Sequence, residues 1–304
     1  MSIGLFYNAE VRNNGTGVLV WDALRDIRGH GHGMGLEMKR YSRPGINVSE
    51  HVLNIQIDDG RDDIDWTPPK PNAIWLIDTH LGYDRRLSWA RDFDYVFTAQ
   101  KAGAVKMRED GIEKAFWLPL ACHPPAHPNY SEMMVHPEKD HHCGDRGLEK
   151  QHDLAFVGFM QDPPDEPGYH NRINYLDAMF KAFPDSWLTI SGFWEDMAVR
   201  YIRSRLGFNV SIRDDLNMRF FEVMSTGTAM MSNGDQEGYE DVGFVPDEHF
   251  IVYDGVNEAI DKATYYLNHS TEREEIAKKG HELVRGNHTY QHRLKHMLDI
   301  CGVK

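Results

Sequence analysis

The sequence predicts an α/β protein with two domains, each built around a parallel sheet. Short apolar segments alternate with longer amphipathic segments along most of the 304 residues, a pattern typical of repeated strand–helix units. With 41% hydrophobic residues the chain can bury a sizeable core, and its length is typical of about two domains. The alternation is interrupted at 122–153, which is rich in Pro and His and has no apolar period, so we interpret this stretch as the interdomain connection.

The first half contains a series of predicted strand–helix units. Strands are predicted at 2–10, 51–58, 73–78, 94–99 and 115–121, and helices at 18–31, 81–93 and 102–112. An acidic loop that also contains Pro, at 58–71, is predicted to be a solvated excursion. The first domain is therefore predicted to span 1–130, followed by a linker at 131–153.

The second half continues the alternation and ends in helices. Strands are predicted at 154–160, 186–193, 208–212, 228–232 and 247–254, and helices at 172–183, 196–207, 214–227, 257–268, 271–286 and 289–302. The second domain is predicted to span 154–285, with a terminal helix at 286–304. In an open sheet of this kind, ligands bind at the carboxyl ends of the strands.

The charge of the chain indicates which classes of partner it can bind, and its cysteine content indicates the compartment in which it is found. The net charge is −14 and no basic stripe is visible, which disfavours nucleic acid or an anionic membrane as the main partner. Three widely separated cysteines indicate a reducing compartment, and we expect a cytoplasmic protein. The N-terminus lacks the pattern of a signal peptide, and no stretch approaches the ~20 apolar residues of a membrane span.

The segment 214–227 predicts a short helix with an unusual polar face. Arg219, Glu222 and Thr226 recur at i, i+3 and i+7, on the face opposite an apolar stripe. Asp and Asn residues precede the helix and suit its N-cap, and Gly227 suits its end. The spacing leaves two interpretations open: a surface ion pair between Arg219 and Glu222, or a ligand site.

The ligand site would fit a nucleoside diphosphate. A helix N-terminus presents backbone N–H groups and a positive dipole end to a phosphate. Arg219, one turn into the helix, would add a bidentate clamp. Glu222, deeper in the helix, would accept hydrogen bonds from the two vicinal hydroxyls of a ribose.

The second half resembles the C-terminal domain of GT-B glycosyltransferases, and more closely the CgeB-type (spore-maturation) members of the group 1 clan. The matching segments are 208–233, 247–269 and 273–293, with looser matches at 74–103 and 116–124. The resemblance implies two Rossmann-like domains with a cleft between them and a C-terminal helix that crosses back onto the first domain. It also implies that the second domain holds the nucleotide and the first holds the acceptor.

The resemblance assigns roles to individual residues. Group 1 transferases carry two Glu residues separated by seven others, and Glu222 matches the second, which binds the donor ribose. Asp214 stands where the family has the first Glu, a departure that changes the acid beside the transferred sugar. Asn217, Met218 and Arg219 match an "NMR" element, which implies that Arg219 and nearby amides hold the diphosphate, and we include Asn217 in the donor site. Further matches to the family pattern are Ser225 and Thr226, which we include in the donor site, and the "HT" element His288–Thr289.

Two further places carry candidate residues. Gly15 and Gly17 lie in a turn between the first strand and helix, where they either approach the donor or simply form a tight turn. Asp78 and His80 follow the strand at 73–78, and either could accept the acceptor hydroxyl's proton or merely cap the next helix. The His and Cys residues of 122–153 fit no standard zinc spacing, and a solvated linker is the favoured interpretation, so no metal site is predicted.

The predicted function is a metal-independent glycosyltransferase of hexosyltransferase type, which moves a sugar from a nucleotide-diphosphate sugar to an acceptor hydroxyl. No bound cofactor is expected; a UDP-sugar is the favoured co-substrate, and a glycan, protein or small molecule the acceptor. Two alternatives remain open: a non-catalytic nucleotide-sugar or carbohydrate-binding protein of the same fold, and another Rossmann-type enzyme such as a dehydrogenase. Neither half carries a Gly-x-Gly-x-x-Gly motif after its first strand, which disfavours the dehydrogenase.

Overall fold

The protein forms two compact α/β units. A computed structural model describes residues 2–8, 14–29, 37–41, 51–58, 66–135, 149–158, 167–189, 194–213, 215–234 and 236–303. One unit consists of Met1–Leu120 together with Tyr290–Lys304, and the other of Ala121–Thr289. Each contains a single parallel sheet among the residues described, and the α/β class with parallel sheets that the sequence predicts is confirmed.

The first unit is built on a six-stranded parallel sheet with the order β2-β1-β3-β4-β5-β6. Its strands are β1 (Ser2–Phe6), β2 (Glu37–Tyr41), β3 (Leu53–Ile57), β4 (Asn72–Leu76), β5 (Tyr95–Thr98) and β6 (Ala115–Trp117). Its helices are α1 (Thr16–Gly29), α2 (Tyr83–Ala90), α3 (Lys101–Glu109) and the terminal helix α10 (Tyr290–Ile300). The edge strand β2 has the sequence EMKRY, whose mixture of charged and apolar residues did not predict a strand.

The terminal helix belongs to the first unit because its side chains pack into that core. The buried Trp75 of β4 donates from Nε1 to the Leu118 carbonyl at 3.0 Å, and its ring lies 5.9 Å from the Tyr290 ring of α10. Arg293 of α10 donates from Nε to the Pro119 carbonyl at 2.8 Å. These contacts join α10 to the strand β4 and to the segment that follows β6.

The second unit has a five-stranded parallel sheet with the order β11-β10-β9-β7-β8. Its strands are β7 (His152–Val157), β8 (Trp187–Thr189), β9 (Ser204–Asn209), β10 (Ala229–Asn233) and β11 (Ile251–Tyr253). Its helices are α4 (Tyr130–Val135), α5 (Pro167–Ala182), α6 (Glu195–Ile202), α7 (Met218–Ser225), α8 (Gly255–Asn268) and α9 (Ser270–Asn287), with a 3₁₀ turn at Glu240–Val242.

The predicted helix at 196–207 is wrong at its end, because α6 stops at Ile202 and β9 begins at Ser204. Gly207 explains the difference: a Cβ there would lie 2.3 Å from Cγ1 of Val223, so this glycine lets α7 pack directly on the strand. The extended segment therefore starts four residues before the predicted strand at 208–212.

Part of the segment that connects the two predicted domains belongs to the second unit. Residues 121–129 lie in that unit, although the sequence analysis assigns them to the first domain. Cys122 forms a parallel bridge with Thr289, and its backbone N–H donates to the His288 carbonyl at 3.1 Å. Because residues 122 and 289 are far apart in sequence, only the folded chain reveals this pairing. Residues 136–148 of the predicted linker lie outside the described residues.

Candidate functional site

Helix α7 begins at the carboxyl ends of strands β7 and β9. Arg219, in its first turn, donates from Nε to the carbonyl of Val157 and from Nη1 to Oδ1 of Asn209, both at 2.8 Å. Val157 and Asn209 are the last residues of β7 and β9. The structure therefore places Arg219 at the edge of the sheet where open α/β folds bind ligands.

Asn217 is the N-cap of α7. It is one of the Asp and Asn residues that the sequence predicts as possible caps. Its side chain accepts a hydrogen bond from the Phe220 amide at 3.1 Å, and its Nδ2 donates to Oδ1 of Asn209 at 3.1 Å. An Asn N-cap satisfies one of the amides that helix geometry leaves without an intrahelical partner. The first turn is thereby oriented with its amides and its positive dipole end towards the carboxyl edge.

Asn209 is a residue of the candidate site that the sequence did not predict. It is fully buried, and its Oδ1 accepts from both Asn217 and Arg219 while its Nδ2 donates to Oγ of Ser232 at 2.9 Å. The sequence could have indicated Asn209, because it is a polar residue at the end of an otherwise apolar strand. Its hydrogen bonds hold the capping residue and the arginine in one fixed arrangement.

Arg219 is oriented by an aromatic ring and by a glycine. Its Cζ lies 4.4 Å from the centre of the Phe156 ring, and a Cβ at Gly158 would lie 2.0 Å from its Nη2. No carboxylate among the described residues lies within ion-pair distance of Arg219. A guanidinium has five N–H donors, so donors and an unneutralised charge remain for an anion.

Tyr201 supports the same arginine from beneath. Its hydroxyl is fully buried and accepts from the Val157 amide at 3.1 Å, and the Arg219 charge acts on it. Burial raises the pKa of Tyr201 to about 12, against the opposing effect of the Arg219 charge. The hydroxyl is therefore neutral at physiological pH and leaves the charge of Arg219 intact.

Glu222 does not form the surface ion pair that the sequence left open. It is only 6% exposed, and its Oε1 lies 3.1 Å from Nε2 of His127. His127 is itself completely buried, and its Nδ1 accepts a hydrogen bond from the His123 amide at 3.1 Å. Of the two interpretations of the helix, the structure removes the ion pair with Arg219, because these two side chains have different partners.

Ser225 and Thr226 direct their hydroxyls into the protein. Ser225 Oγ donates to the His127 carbonyl at 2.9 Å, and Thr226 Oγ1 donates to the Val223 carbonyl at 2.7 Å. Thr226 is the C-cap of α7, which puts it roughly 12 Å along the helix from its start. Both hydroxyls therefore have a structural role as donors to backbone carbonyls. Direct contact of Ser225 or Thr226 with a ligand stays a prediction.

The carbonyl end of α7 is held by helix α9. His281 Nδ1 lies 3.1 Å from the Met224 carbonyl, and Arg285 donates from Nε to the Ser225 carbonyl at 3.3 Å. Arg285 also pairs with Glu132 of α4. Burial lowers the pKa of His281, so it binds the helix end mainly as a neutral ring. Cations and donors at a helix C-terminus stabilise it, so α7 is supported at both ends.

The remaining predicted residues lie elsewhere. Asp214 lies outside the described residues. Gly15 precedes α1, and its carbonyl accepts from the Val18 amide at 3.1 Å. Gly17 is in the first turn of α1, where a Cβ would lie 2.4 Å from Cγ of Tyr7. For Gly17 the structure supports a close-packed turn, and contact with a donor stays a prediction.

Asp78 and His80 follow strand β4, in the first unit. Asp78 has a φ of 56°, a left-handed conformation that is uncommon outside glycine, and its carbonyl accepts from the Leu81 amide at 2.9 Å. Between them, Thr79 donates from both its amide and its hydroxyl to Oε1 of Gln100 at 2.9 Å. The loop is thus fixed at the carboxyl edge of the first sheet.

Asp58, at the end of β3, is a second residue that the sequence analysis missed. The prediction of a solvated loop at 58–71 is wrong for this position, because Asp58 is buried. Its Oδ2 accepts from Nε of Arg86 at 2.6 Å and from the Ile77 amide at 2.9 Å. Burial raises the pKa of Asp58 to about 6, although the Arg86 charge opposes the change.

This buried carboxylate predicts a pH dependence of stability. The pKa of Asp58 in the folded protein, about 6, exceeds its ordinary value of 3.8, so the folded state favours the protonated side chain. The contribution of Asp58 to the free energy of unfolding is therefore fully present below about pH 4 and is lost as the pH rises through 6. The difference corresponds to about 3 kcal/mol. We expect the unfolding free energy of wild type to fall between pH 4 and 7 relative to Asp58→Asn, measured by urea titration.

A surface carboxylate provides the control for that experiment. Asp22 forms an exposed i, i+3 pair with Arg25, and such pairs contribute little to stability. The variant Asp22→Asn should therefore follow the wild-type dependence on pH. Equal pH slopes for wild type and Asp58→Asn would contradict the prediction.

The described residues were also compared with what a metal site or a membrane-spanning helix requires. No group of three or more His, Cys, Asp or Glu side chains there is placed to hold a metal ion. None of the helices in the described part of the chain has the length and apolar character needed to cross a membrane. His288, of the element whose role the sequence did not specify, is buried with its ring 4.9 Å from that of Phe244.

A family of glycosyltransferase-like proteins matches part of the chain. Residues 175–299, which include α7, match a family model described as "Glycosyl transferase-like". A comparison with curated proteins finds no match. The matched residues make up less than half of the chain.

Solved structures show the same fold over nearly the whole chain. HepE from Anabaena in complex with UDP and glucose is 11% identical over 98% of this chain and 99% of its own, with a TM-score of 0.62. Sucrose-phosphate synthase from Thermosynechococcus elongatus is 11% identical over 99% of this chain and 98% of its own, with a TM-score of 0.59. An alpha-glucosyltransferase in complex with UDP and a 13-mer DNA containing an HMU base is 12% identical over 99% of each chain, with a TM-score of 0.61. At these identities the likeness shows the fold alone, which is that of GT-B glycosyltransferases.

Proposed function

We propose that this protein transfers a sugar from a nucleotide-diphosphate sugar to an acceptor hydroxyl, and that the first turn of α7 binds the donor's diphosphate. The observation that carries this proposal is the arrangement of Arg219. Its guanidinium is fixed at the carboxyl ends of β7 and β9, and no carboxylate among the described residues pairs with it. A preorganised cation beside helix amides is the arrangement that stabilises a diphosphate leaving group.

Glu222 is our candidate for the ribose. It lies on the same helix, three residues after Arg219, and its known contact occupies one carboxylate oxygen. The second oxygen can accept from a hydroxyl, and a carboxylate that accepts from vicinal hydroxyls is selective for ribose over deoxyribose. Asn217 and the amides of the first turn would complete the donor site, with Gly15, Gly17, Ser225 and Thr226 as further candidates.

The chemistry that we propose needs no protein-bound metal. Arg219 and the helix amides would stabilise the negative charge that develops on the departing diphosphate. Asp78 or His80 would accept the proton of the acceptor hydroxyl, and Asp214 would lie beside the transferred sugar. In this proposal Asp214 replaces the family's Glu with a shorter carboxylate.

The donor that we propose is a UDP-sugar carrying a hexose. Support comes from the structural neighbours crystallised with UDP, although their identity to this chain is low. For the acceptor we propose a glycan, a protein or a small molecule. One neighbour was crystallised with DNA, but the net charge of −14 here disfavours a nucleic-acid acceptor. We further propose CgeB-type specificity and a cytoplasmic location.

A thermal-shift screen tests the donor assignment. Purified protein is heated with UDP, GDP, ADP, CDP or dTDP, and a ligand at a hundred times its Kd should add roughly 2.7 kcal/mol of stability. We expect UDP to give the largest shift in Tm. If none of the five shifts Tm while the protein is folded, the donor assignment is wrong.

A turnover assay then separates an enzyme from a binding protein of the same fold. UDP-glucose and other UDP-hexoses are incubated with the protein, and UDP release is followed with and without candidate acceptors and with EDTA. UDP release that persists in EDTA supports a metal-independent transferase. Binding of UDP without any release under these conditions would favour the non-catalytic alternative.

A further inference from the structure

We propose that His127 is a positioning residue for the donor site, which holds Glu222 in the orientation that binds the ribose and keeps it apart from Arg219. This inference rests on the proposed function, because it gives Glu222 the ribose as its ligand. His127 lies in the Pro- and His-rich stretch 122–153, within the bounds predicted for the first domain, and neither composition nor spacing indicated a role for it in the donor site.

The contact between the two side chains is short and buried. His127 Nε2 lies 3.1 Å from Oε1 of Glu222, and the two side chains are 0% and 8% exposed. A carboxylate removed from water needs a donor, because an unpaired buried charge is strongly destabilising. Nε2 of His127 lies within ion-pair distance of one oxygen, although the contact does not have hydrogen-bond geometry, and the other oxygen is left for a ligand.

The tautomer of His127 is set by the backbone. Its Nδ1 accepts a hydrogen bond from the His123 amide at 3.1 Å, so the proton of the neutral ring is on Nε2. Nε2 is the nitrogen that faces Glu222. The ring therefore places its N–H nitrogen, and not the nitrogen that carries the lone pair, next to the carboxylate.

Helix α7 itself fixes the position of His127. Ser225 lies one turn after Glu222, and its Oγ donates to the His127 carbonyl at 2.9 Å. The His127 amide donates in turn to the His123 carbonyl at 2.9 Å. The backbone and the ring of His127 are thus both held, which gives the carboxylate a rigid partner.

Without His127, the carboxylate would find a different cation. Arg219 is three residues before Glu222 on the same helix, a spacing at which opposite charges pair. Such a pair would neutralise the guanidinium that we assign to the diphosphate and would turn the carboxylate from the ribose. His127 thereby leaves the Arg219 guanidinium available for the diphosphate and the Glu222 carboxylate available for the ribose.

Three substitutions at one position test the inference. His127→Gln retains a donor near the position of Nε2, His127→Asn retains an acceptor near that of Nδ1 but not the donor to Glu222, and His127→Ala removes both. Binding of UDP and of 2′-deoxy-UDP is measured by calorimetry on each full-length variant. Tm and circular dichroism establish which variants are folded.

The expected result is a loss of selectivity for the ribose. Wild type should bind UDP about tenfold or more tightly than 2′-deoxy-UDP, because a hydrogen bond to a charged group is lost in the deoxy compound. His127→Gln should keep most of this ratio, while His127→Asn and His127→Ala should bring it close to one. A residue that only stabilises the fold would weaken both ligands equally and leave the ratio unchanged.

The outcomes separate this inference from the proposed function. If wild type binds neither nucleotide, the donor assignment itself is wrong. If wild type binds UDP selectively and a folded His127→Asn variant keeps the same ratio, the donor assignment stands and the role of His127 is wrong. If the Ala and Asn variants do not fold, an unchanged ratio in Glu222→Gln would overturn the inference, because Glu222 would then not contact the ribose.

Discussion

Replacement of Arg219 by Ala is expected to weaken the binding of UDP by about a hundredfold or more. Hydrogen bonds to a charged group contribute about 1.5–3 kcal/mol each, and the guanidinium has donors left for more than one phosphate oxygen. The effect should be large because the side chain is already oriented by Val157, Asn209 and the Phe156 ring. Calorimetry with UDP measures the change.

Arg205 offers a matched control in the same unit. It lies near the start of β9, at the opposite end of the strand from Asn209, and pairs with Asp153 at 2.9 Å. The variant Arg205→Ala removes the same charge from the chain but should leave the affinity for UDP within about twofold, since it alters only a distant surface charge. Equal losses for the two variants would indicate a general charge effect and contradict the assignment of the site to α7.

Replacement of Gly158 by Ala is expected to weaken UDP binding by about tenfold or more while leaving the fold intact. The new Cβ would lie 2.0 Å from Nη2 of Arg219 and 2.9 Å from its Cζ. The end of a long side chain can move away at small cost in stability, but the guanidinium then leaves its position over the Phe156 ring. This variant therefore tests the placement of the charge without removing it.

Gly286 is the control for that substitution. It lies in α9, and nothing comes within 4 Å of a Cβ built there, so Gly286→Ala should stabilise the helix by up to about 1 kcal/mol. Its affinity for UDP should equal that of wild type. A Gly158→Ala variant with unchanged Tm and unchanged affinity would show that the exact position of Arg219 is unimportant for binding.

The candidate site was only partly predictable from the sequence. Local rules about helix starts predicted a cap among the Asp and Asn residues before Arg219, and only the structure shows that Asn217 is that cap and that Arg219 lies in the first turn. The spacing of Arg219 and Glu222 left an ion pair and a ligand site open, because spacing places side chains on one face without saying what lies opposite. Their partners, Asn209 and His127, come from other parts of the chain.

The fold divides in the same way. Apolar runs such as 73–78 and 94–99 predicted buried parallel strands, because a strand covered on both faces is apolar throughout. The strand β2 and the boundary between α6 and β9 were missed, because charged residues obscured the first and Gly207 acts through contact with Val223. The first miss reflects the composition of the strand itself, and the second reflects a contact between segments that local sequence does not show to be neighbours.

The sequence by itself determined the α/β class, the parallel sheets and the helix that carries the candidate site, since these depend on periodicity and on local capping. The tertiary structure alone decided that Glu222 meets His127 and not Arg219, and that Asp58 is buried against Arg86. It also decided that residues 121–129 pack within the second unit. The physical reason is that burial and charge pairing depend on which segments the folded chain brings together, and local sequence carries no record of those partners.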